Sequence, residues 1–470
     1  MDGTNSTVVV QSVFSVAGLP KVLQELFFTQ AAEVAQCVER NRKFDGPSLV
    51  QTFVFGFLHQ PDATSTDLAQ TASQCDVQVT ASAIDQWLDK LQTATFFKDL
   101  IGKVAQYVVS AEPVDVELLK RFHAVHLLDS TTVALPDELA HVWSGCGTDS
   151  PQGGKAALKI QARLDVLSGA LLVDLTPGRE CDQKAEIKTK DLQAGELHIR
   201  DLGYFDLDAL EKITQRDGYF VSRMMHGTVV FDLEGNRLNL LEFLRDASGD
   251  VDIWVLVGRG KKLKMRLLAR RLPDWVAESR RRKCRQKVKD KGRTATEEQL
   301  ELRSWTIIVT NVPEEALPLP AVEEASAEKP AAPWLTMDEA IALMRHRWQI
   351  ELLFKLWKSQ GKLARTRRRK AQRILCEVYA KVLAMIVQHW VLLHAAWEFV
   401  DRSLTQASKA VRKGALELLR YLNDLLKLKE ELDRITQMVG KTSRIHRRKK
   451  KPAAFQVMDD PTLFGYKRCA

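Results

Sequence analysis

Charged side chains that could act on phosphate are concentrated between Met344 and Lys358. They recur at spacings of four, four and three residues: Arg347, Glu351, Lys355 and Lys358. On a helix this spacing places them along one side, with the indole of Trp348 beside them. A carboxylate among cations suits a place where a metal ion meets a phosphate group. A solvated face with intrahelical ion pairs is the alternative explanation.

Apolar residues of the same segment predict one amphipathic helix with a buried stripe. They recur at helical spacing: Ile350, Leu353, Phe354 and Trp357. We therefore expect a single helix to run through the whole segment and to fix the direction of its charged side.

The composition is that of a globular protein with an excess of positive charge. The 470 residues carry a formal net charge of +9, and the pI is near 9.1. This length allows roughly two to four domains, and the charge favours a polyanionic partner. The seven cysteines include no CxxC pair, which favours reduced thiols in a cytosol-like compartment and argues against a zinc site.

The sequence predicts neither a secretory signal nor a membrane span. The N-terminus has no basic region before its short run Val8–Val10. The most apolar stretch, Val378–Val400, is interrupted by Lys381 and by further polar residues. This pattern fits a buried helix better than a membrane span, so we expect a soluble intracellular protein.

Residues 1–105 are predicted to be helical. Two short segments, Ser65–Ser73 and Thr80–Leu91, each begin with Ser or Thr and are joined by a short link, which resembles a helix-turn-helix. Asp85 and Asp89 in the second segment would repel DNA phosphates. DNA recognition by this pair and simple helical packing are therefore both open.

From Arg121 onward the apolar pattern becomes strand-like. The predicted elements are strands at Phe122–Leu128 (ending in Asp129), Lys159–Leu167 and Leu171–Leu175, a polar helix at Asp182–Leu192, a strand at Leu197–Asp201, a helix at Leu207–Arg216 and a strand at Tyr219–Met224. Three antiparallel strands followed by helix, strand, helix and strand is the order of the ribonuclease H fold. We predict an α/β protein with a ribonuclease H-like, mixed five-stranded sheet core.

Residues 226–335 interrupt this order and predict a mainly β insertion. It contains strands at Thr228–Phe231, Asp252–Val257, Leu263–Leu268 and Trp305–Thr310, a very basic helix at Pro273–Lys291, and a flexible connector at Glu314–Pro333. The predicted domains are a helical DNA-binding domain at 1–105, the first part of the core at 120–225, the insertion at 226–335, the second part of the core at 336–370, and a helical C-terminal region at 371–470 with a basic tail, a candidate for dimerisation.

Two aspartates at predicted strand ends and one helical glutamate are candidates for a metal site. Asp129 follows the first predicted strand, Asp201 follows the fourth, and Glu351 lies on the charged helix. Mg²⁺ prefers such carboxylates, and two ions about 4 Å apart promote in-line displacement at phosphorus. The rival positions in the same region are Asp165, Asp174 and Asp182.

Several stretches together resemble the DDE transposases of insertion-sequence family four. The matching stretches are Leu128–Pro136, Thr176–Asp182, Ile199–Phe205, Val221–Arg223, Trp305–Asn311 and Arg347–Lys355, in the order found in that family. The resemblance implies that the catalytic, metal-binding triad is Asp129, Asp201 and Glu351. It also implies the family signature Tyr-x2-Arg-x3-Glu-x6-Lys at positions 344, 347, 351 and 358.

One position of that signature differs. Met344 stands where the family has tyrosine, and methionine cannot offer the tyrosine hydroxyl to a DNA phosphate. Arg347 and Lys358 keep the cations that hold phosphate. The metal triad is complete.

The resemblance implies cut-and-paste DNA transposition with Mg²⁺, for which Mn²⁺ would substitute. Water frees a 3′-OH at the transposon end, a hairpin forms in several relatives, and the 3′-OH then attacks target DNA. The resemblance also implies that the protein acts as a homodimer on paired transposon ends, in the bacterial cytoplasm. The alternatives are a catalytically silent DNA-binding protein that recognises transposon ends and a structure-directed nuclease.

The cations and aromatic rings near the triad are the expected DNA contacts. They are Arg347, Trp348, Lys355 and Lys358 and, on the basic helix, Arg280, Arg281, Arg282 and Lys283. Stacking on a base and packing in the core are both open for Trp348. For Trp305 we expect burial in a sheet.

Overall fold

The chain forms two compact units, each assembled from separate segments. The computed structural model describes residues 12–35, 43–146, 155–290, 292–315, 333–366, 370–449 and 452–463. Unit 1 contains Met1–Asp115, Ser130–Cys181 and Gln349–His446, and unit 2 contains Val116–Asp129, Asp182–Trp348 and Arg447–Ala470. Most of the predicted connector, Lys291 and the end of the basic tail lie outside the described residues.

The strands are short except for β3, β4 and β11. In chain order they are β1 (Ser12–Ser15), β2 (Tyr107–Ser110), β3 (Val125–Leu135), β4 (Ala156–Asp165), β5 (Leu171–Pro177), β6 (Leu197–Arg200), β7 (Tyr219–Arg223), β8 (Val230–Phe231), β9 (Arg237–Leu238), β10 (Val251–Val257), β11 (Leu263–Arg271) and β12 (Trp305–Thr310).

The helices are most frequent near the two ends of the chain. They are Leu19–Gln24, Ala31–Val34, Gly46–His59, Ser65–Ser73, Ala81–Leu88, Leu91–Val104, Glu117–Lys120, Leu207–Gln215, Leu240–Asp246, Asp274–Lys289, Glu297–Glu301, Met337–His346, Trp348–Ser359, Ala371–Ala396, Leu404–Arg420, Leu425–Thr442 and Ala454–Asp459.

Unit 2 is built on a mixed β-sheet. Its strand order is β3, β6, β7, β12, β11, β10, β8 and β9. Strands β3, β6 and β7 run parallel, and each strand beyond β7 runs antiparallel to its neighbours. The strands predicted for the insertion therefore extend the sheet that contains β7. Buried residues such as Phe220, Val255 and Val309 form the core on this sheet.

Unit 1 is mainly helical and carries an antiparallel hairpin of β4 and β5. Its central helix, Ala371–Ala396, contacts helices Gly46–His59, Leu91–Val104 and Leu404–Arg420. Among the described residues, this is the one helix long and apolar enough to cross a membrane. Its apolar window lies entirely inside the protein, as in the core helix of a soluble protein. The prediction of a buried helix here is confirmed.

The turn of the β4–β5 hairpin explains the role of one rival aspartate. Asp165 accepts hydrogen bonds from the backbone amides of Leu167 and Ser168, both at 3.1 Å. Gly169 in the same turn has a φ of +74°, and a Cβ atom there would collide with Trp397. Asp165 therefore shapes a turn that only glycine can complete.

Two predicted elements of the core are wrong. Asp129 does not end a strand, because β3 continues through it to Leu135 with Thr131 and Val133 still facing inward. The polar helix predicted at Asp182–Leu192 consists instead of short 3-10 turns, since the segment has few apolar residues at helical spacing to bury. The other strands and helices of this region lie where they were predicted, within a few residues.

The charged segment forms two helices where one was predicted. Met337–His346 ends before Arg347, and the next helix is Trp348–Ser359. Met344 and Arg347 therefore do not belong to the helix that carries Glu351. The predicted apolar stripe is confirmed, because Ile350, Leu353, Phe354 and Trp357 are all buried.

A buried ion pair in the central helix of unit 1 generates a stability prediction. Lys381 lies 2.8 Å from Glu377 and donates to the Arg365 carbonyl at 2.7 Å. Burial lowers the pKa of Lys381, and Glu377 opposes that effect. Glu377→Gln is expected to lower the free energy of unfolding by about 3–5 kcal/mol, because it leaves a buried ammonium without its counter-charge. Urea denaturation measures this.

The matched control replaces both partners by apolar residues of similar size. The double variant Glu377→Leu and Lys381→Met is expected to lose less stability than Glu377→Gln. Its free energy of unfolding should lie within about 2 kcal/mol of the wild-type value. A double variant that is less stable than Glu377→Gln would contradict this account of the pair.

Candidate active site

Asp129 and Asp201 are placed together by the register of two parallel strands. The pairing of β3 with β6 ends with Leu128 opposite Arg200. The next residue on each chain segment is an aspartate. Because neighbouring strands stand about 4.8 Å apart, the two carboxylates lie close together at the level where β6 ends.

Arg347 contacts both of these carboxylates. Its Nη1 donates to Asp129 Oδ2 at 3.2 Å, and its Nη2 lies 3.7 Å from Asp201 Oδ2. The backbone amide of Arg347 donates to the Leu343 carbonyl in the last turn of helix Met337–His346. The end of that helix therefore fixes the point from which the guanidinium extends.

A second arginine approaches the other oxygen of Asp201. Arg223, the last residue of β7, places its Nη1 3.6 Å from Asp201 Oδ1, which is longer than a hydrogen bond. Among the described residues this oxygen is buried and accepts no hydrogen bond. A buried carboxylate oxygen in that condition raises the free energy of the protein until a donor or cation reaches it. It is therefore an atom that a ligand can use.

A buried carboxylate–histidine cluster precedes the aspartates on the same strands. His126 and His198 are opposite each other in the register, and Nε2 of each lies 3.3 Å from a carboxylate oxygen of Glu196. Burial raises the pKa of Glu196, but the imidazoles of His126 and His198 beside it outweigh burial and hold the pKa well below its ordinary value. The cluster ties β3 to β6 close to Asp129 and Asp201.

Glu351 belongs to unit 1 and lies in the first turn of helix Trp348–Ser359, where it is half-buried. Within the described parts of the chain, no three His, Cys, Asp or Glu side chains form a group that could hold a metal ion. The structure therefore brings Asp129 and Asp201 together within unit 2, whereas Glu351 belongs to unit 1.

The remaining residues of the charged segment differ in exposure. Trp348 is 53% exposed, so it is not packed in the core, whereas Met344 is 7% exposed. Lys355 and Lys358 lie at the surface. Desolvation by nearby protein atoms nevertheless lowers the pKa of Lys358.

The basic helix Asp274–Lys289 carries two kinds of cation. Arg280 donates to the Trp305 carbonyl at 3.3 Å, and Arg281 donates to the Ser304 hydroxyl at 2.9 Å. These two arginines hold the helix against the segment that leads into β12.

Arg282 and Lys283 on the same helix are exposed and have no ion pair among the residues that the structure describes. With Lys287 and Lys289 of the same helix, which are also exposed, they are cations that a polyanion can reach. Trp305 is buried in β12, as expected.

The two helices predicted as a helix-turn-helix are Ser65–Ser73 and Ala81–Leu88. The acids near the second helix are engaged within unit 1, because Arg373 donates to Asp85 at 3.2 Å and to Asp89 at 2.6 Å. A hydrogen bond from Arg373 lowers the pKa of Asp89 to about 2. The exposed polar residues there are Ser82, Gln86 and Lys90.

Sequence reasoning did not assign Arg223 or the Glu196 cluster to the site. One signal was present: His126 and His198 each precede an aspartate by three residues. If two strands are parallel neighbours, the same histidine-to-aspartate spacing on both predicts that the two histidines face each other and that the two aspartates do so as well. Arg223 lies in Val221–Arg223, one of the stretches that resemble the family, but its position beside Asp201 depends on the strand order.

The geometry defines a class of enzyme. Carboxylates side by side on neighbouring parallel strands, with guanidinium groups beside them, are typical of enzymes that use divalent ions to act on phosphate esters. A family profile described as "Transposase DDE domain" matches residues 120–387, more than half of the chain. The chain belongs to this family of DDE transposases.

The chain is also similar to transposases of bacterial insertion sequences. It is 24% identical to the transposase for insertion sequence element IS231F of Bacillus thuringiensis subsp. israelensis, over 96% of each chain. It is 24% identical to that of IS231B from Bacillus thuringiensis subsp. berliner, over 90% of this chain and 91% of the relative. It is 25% identical to that of IS1151 from Clostridium perfringens, over 71% and 72%.

The Glu196 cluster generates a prediction about pH. Glu196→Gln is expected to lower the free energy of unfolding at pH 7 by about 1–3 kcal/mol, because the two imidazoles lose a charged partner in a buried place. The pKa of Glu196 is depressed in the folded protein, so its stabilisation is complete above the unfolded pKa and is lost as pH falls towards the folded value. The difference in free energy of unfolding between wild type and Glu196→Gln should therefore become smaller below about pH 4.5. Denaturation at several pH values measures it.

Glu186→Gln is the control, because it removes one carboxylate from a short turn of the same unit. Its stability relative to wild type should stay nearly constant across the same pH range. A Glu196→Gln gap that does not change with pH would contradict the ionised state of the cluster.

Proposed function

We propose that the protein catalyses cut-and-paste transposition through a ribonuclease H-like core with Asp129, Asp201 and Glu351 as its catalytic carboxylates. The observation that carries the proposal is the register of β3 and β6, which places Asp129 beside Asp201. Helix Leu207–Gln215 and the parallel strand β7 follow β6 in the chain, as such a core requires. Glu351 enters the proposal through its place in the family signature.

Divalent metal ions fit the residues of this site. Asp201 Oδ1 is buried and accepts no hydrogen bond among the described residues, and carboxylate oxygens are the ligands that Mg²⁺ and Mn²⁺ prefer. Asp129, Asp201 and Glu351 would hold the ions. Bound there, two ions would make water or a 3′-OH a stronger nucleophile and would stabilise the leaving oxygen.

The cations of the chain would position the DNA. In the proposal Arg347 and Lys358 bind phosphates at the transposon end, and Lys355 lies on the same helix as Lys358. Desolvation lowers the pKa of Lys358, and a phosphate beside it would favour its charged form again. The exposed indole of Trp348 would stack on a base near the cut.

The relatives are named as transposases for insertion sequence elements, which supports transposon ends and target DNA as partners. We extend the proposal to 3′-end cleavage, a hairpin intermediate and strand transfer by a homodimer that holds both ends in the bacterial cytoplasm. The helices Ser65–Ser73 and Ala81–Leu88 are proposed to recognise the ends, because Asp85 and Asp89 are neutralised by Arg373 and polar side chains beside them are exposed.

One observation favours the alternative function, a silent protein that binds transposon ends. Met344 replaces the tyrosine of the family signature, and its side chain is buried. No hydroxyl at that position can reach DNA. The carboxylates required for cleavage are nevertheless all present, and cleavage assays separate the two functions.

The first test removes one carboxylate. Asp201→Asn is expected to lower Mg²⁺-dependent cleavage of DNA carrying the element's own ends by on the order of 10³-fold or more, because the metal loses a charged ligand. Gel-shift assays should show that end binding persists. Asp174→Asn removes the same charge from an exposed position of β5 and should cleave at the wild-type rate.

Equal cleavage by Asp201→Asn and wild type would eliminate the proposed triad. End binding without cleavage by the wild-type protein, under all metal conditions, would establish the silent alternative.

The second test concerns the basic helix. Arg282→Ala combined with Lys283→Ala is expected to weaken DNA binding and to reduce the slope of log K against log salt by about 0.9 for each phosphate that the variant no longer binds. Fluorescence anisotropy over a salt series measures the slope. Both side chains are exposed, so the free energy of unfolding should change little.

Arg280→Ala is the contrasting variant on the same helix. It removes a hydrogen bond to the Trp305 carbonyl, so it should lower stability while the salt slope stays near the wild-type value. An unchanged slope in the Arg282 and Lys283 double variant would show that these two side chains do not contact DNA phosphates.

A further inference from the structure

The guanidinium of Arg347 lies on the carboxylate oxygens that the proposed function assigns to a divalent cation. It is 3.2 Å from Asp129 Oδ2 and 3.7 Å from Asp201 Oδ2. All three side chains belong to unit 2 and are only partly exposed, at 12% for Arg347, 23% for Asp129 and 33% for Asp201. The ion pairs are therefore partly shielded from solvent, where charge interactions are stronger.

We propose that Arg347 is an internal counter-ion that competes with divalent metal for the Asp129–Asp201 pair and leaves the pair for a DNA phosphate. The inference rests on the proposed function of these carboxylates. A guanidinium keeps its charge at any physiological pH and has donors but no acceptor. Arg347 therefore cannot be neutralised in place, and it must move away from the pair when a divalent cation binds the same oxygens.

The local structure allows this exchange. Arg347 is the residue between two helices, so its side chain is not held in the middle of a helix face. Its distance from Asp201 is longer than a hydrogen bond, and Arg223 stays near the other oxygen of Asp201. A phosphate offers a guanidinium the same bidentate geometry as a carboxylate.

The exchange couples DNA binding to metal binding. A phosphate that draws Arg347 away uncovers the aspartate oxygens, and a metal ion that displaces Arg347 releases it for phosphate. By linkage the two ligands must raise each other's affinity by the same factor. The same ion pairs would keep metal affinity low when no DNA is present, which would limit cleavage away from a bound end.

The test measures binding of Mn²⁺ alone to the full-length, DNA-free protein by isothermal titration calorimetry. Arg347→Ala is expected to bind Mn²⁺ about tenfold more tightly than wild type, because the competing charge is gone. Arg347→Lys keeps the charge and should stay close to wild type. Arg345→Ala removes the same charge two residues earlier, at an exposed position, and should also stay close to wild type.

Two results would overturn the inference. One is the same Mn²⁺ affinity in wild type and Arg347→Ala, and the other is an equal gain in Arg345→Ala, which would show a general effect of net charge. Thermal unfolding gives a second readout. Without Mn²⁺, Arg347→Ala should melt at a lower temperature than wild type, and saturating Mn²⁺ should raise its Tm by more than it raises that of wild type. If Arg347→Ala does not fold, Arg347→Gln replaces it.

A duplex oligonucleotide at low salt provides the test of coupling. It should tighten Mn²⁺ binding in wild type and should do so much less in Arg347→Ala, whose pair is already uncovered. Equal tightening in both proteins would contradict the proposed exchange.

The Asp201→Asn variant separates this inference from the proposed function. Loss of Mn²⁺ binding in Asp201→Asn, with no change in Arg347→Ala, would contradict the counter-ion role alone. Unchanged Mn²⁺ binding in Asp201→Asn would show that the ion does not use the pair, and the proposed function would fail together with the inference.

Discussion

Two carboxylates held side by side need a cation between them, and the arrangement around Asp129 and Asp201 meets this requirement. At the spacing of adjacent strands, two unit charges repel by about 3 kcal/mol for an effective dielectric constant of 20. The sheet register cannot relieve this repulsion, because the same register is set by the buried apolar residues of β3 and β6. Arg347 and Arg223, which approach from other elements of unit 2, offset it. The repulsion between Asp129 and Asp201 is thus a local unfavourable interaction that the rest of the fold offsets.

The sequence was sufficient to predict those helices and strands that depend on local periodicity. The buried stripe of helix Trp348–Ser359 and the strands that lead to Asp129 and Asp201 follow from spacings of 3.6 and 2 residues. The end of β3 was missed because an aspartate followed by Ser and Thr resembles a turn, whereas inward residues continue at alternate positions to Leu135. The strand continues because its other side chains still find buried places.

Features set by interactions between distant segments could not be predicted in this way. The residues around Arg347 are good helix formers with neither glycine nor proline, so nothing local indicates a break between His346 and Trp348. What distinguishes Arg347 is its pairing with aspartates more than a hundred residues earlier in the chain. The place of Arg223 likewise depends on the pairing of β6 with β7.

Met344 connects the packing of its helix with the phosphate binding that we propose for the signature. Met344 lies in the last turn of the helix that ends at His346, just before Arg347, and it is buried. A buried apolar side chain at that point stabilises the helix end from which the guanidinium extends. The family tyrosine would add a hydroxyl that could hold phosphate directly, whereas methionine contributes only packing. Under the proposed function, more of the phosphate binding at the signature would then depend on Arg347 and Lys358. Because Arg347 also pairs with Asp129 and Asp201, the proposed DNA binding and the charge balance of the aspartate pair would both depend on this one side chain.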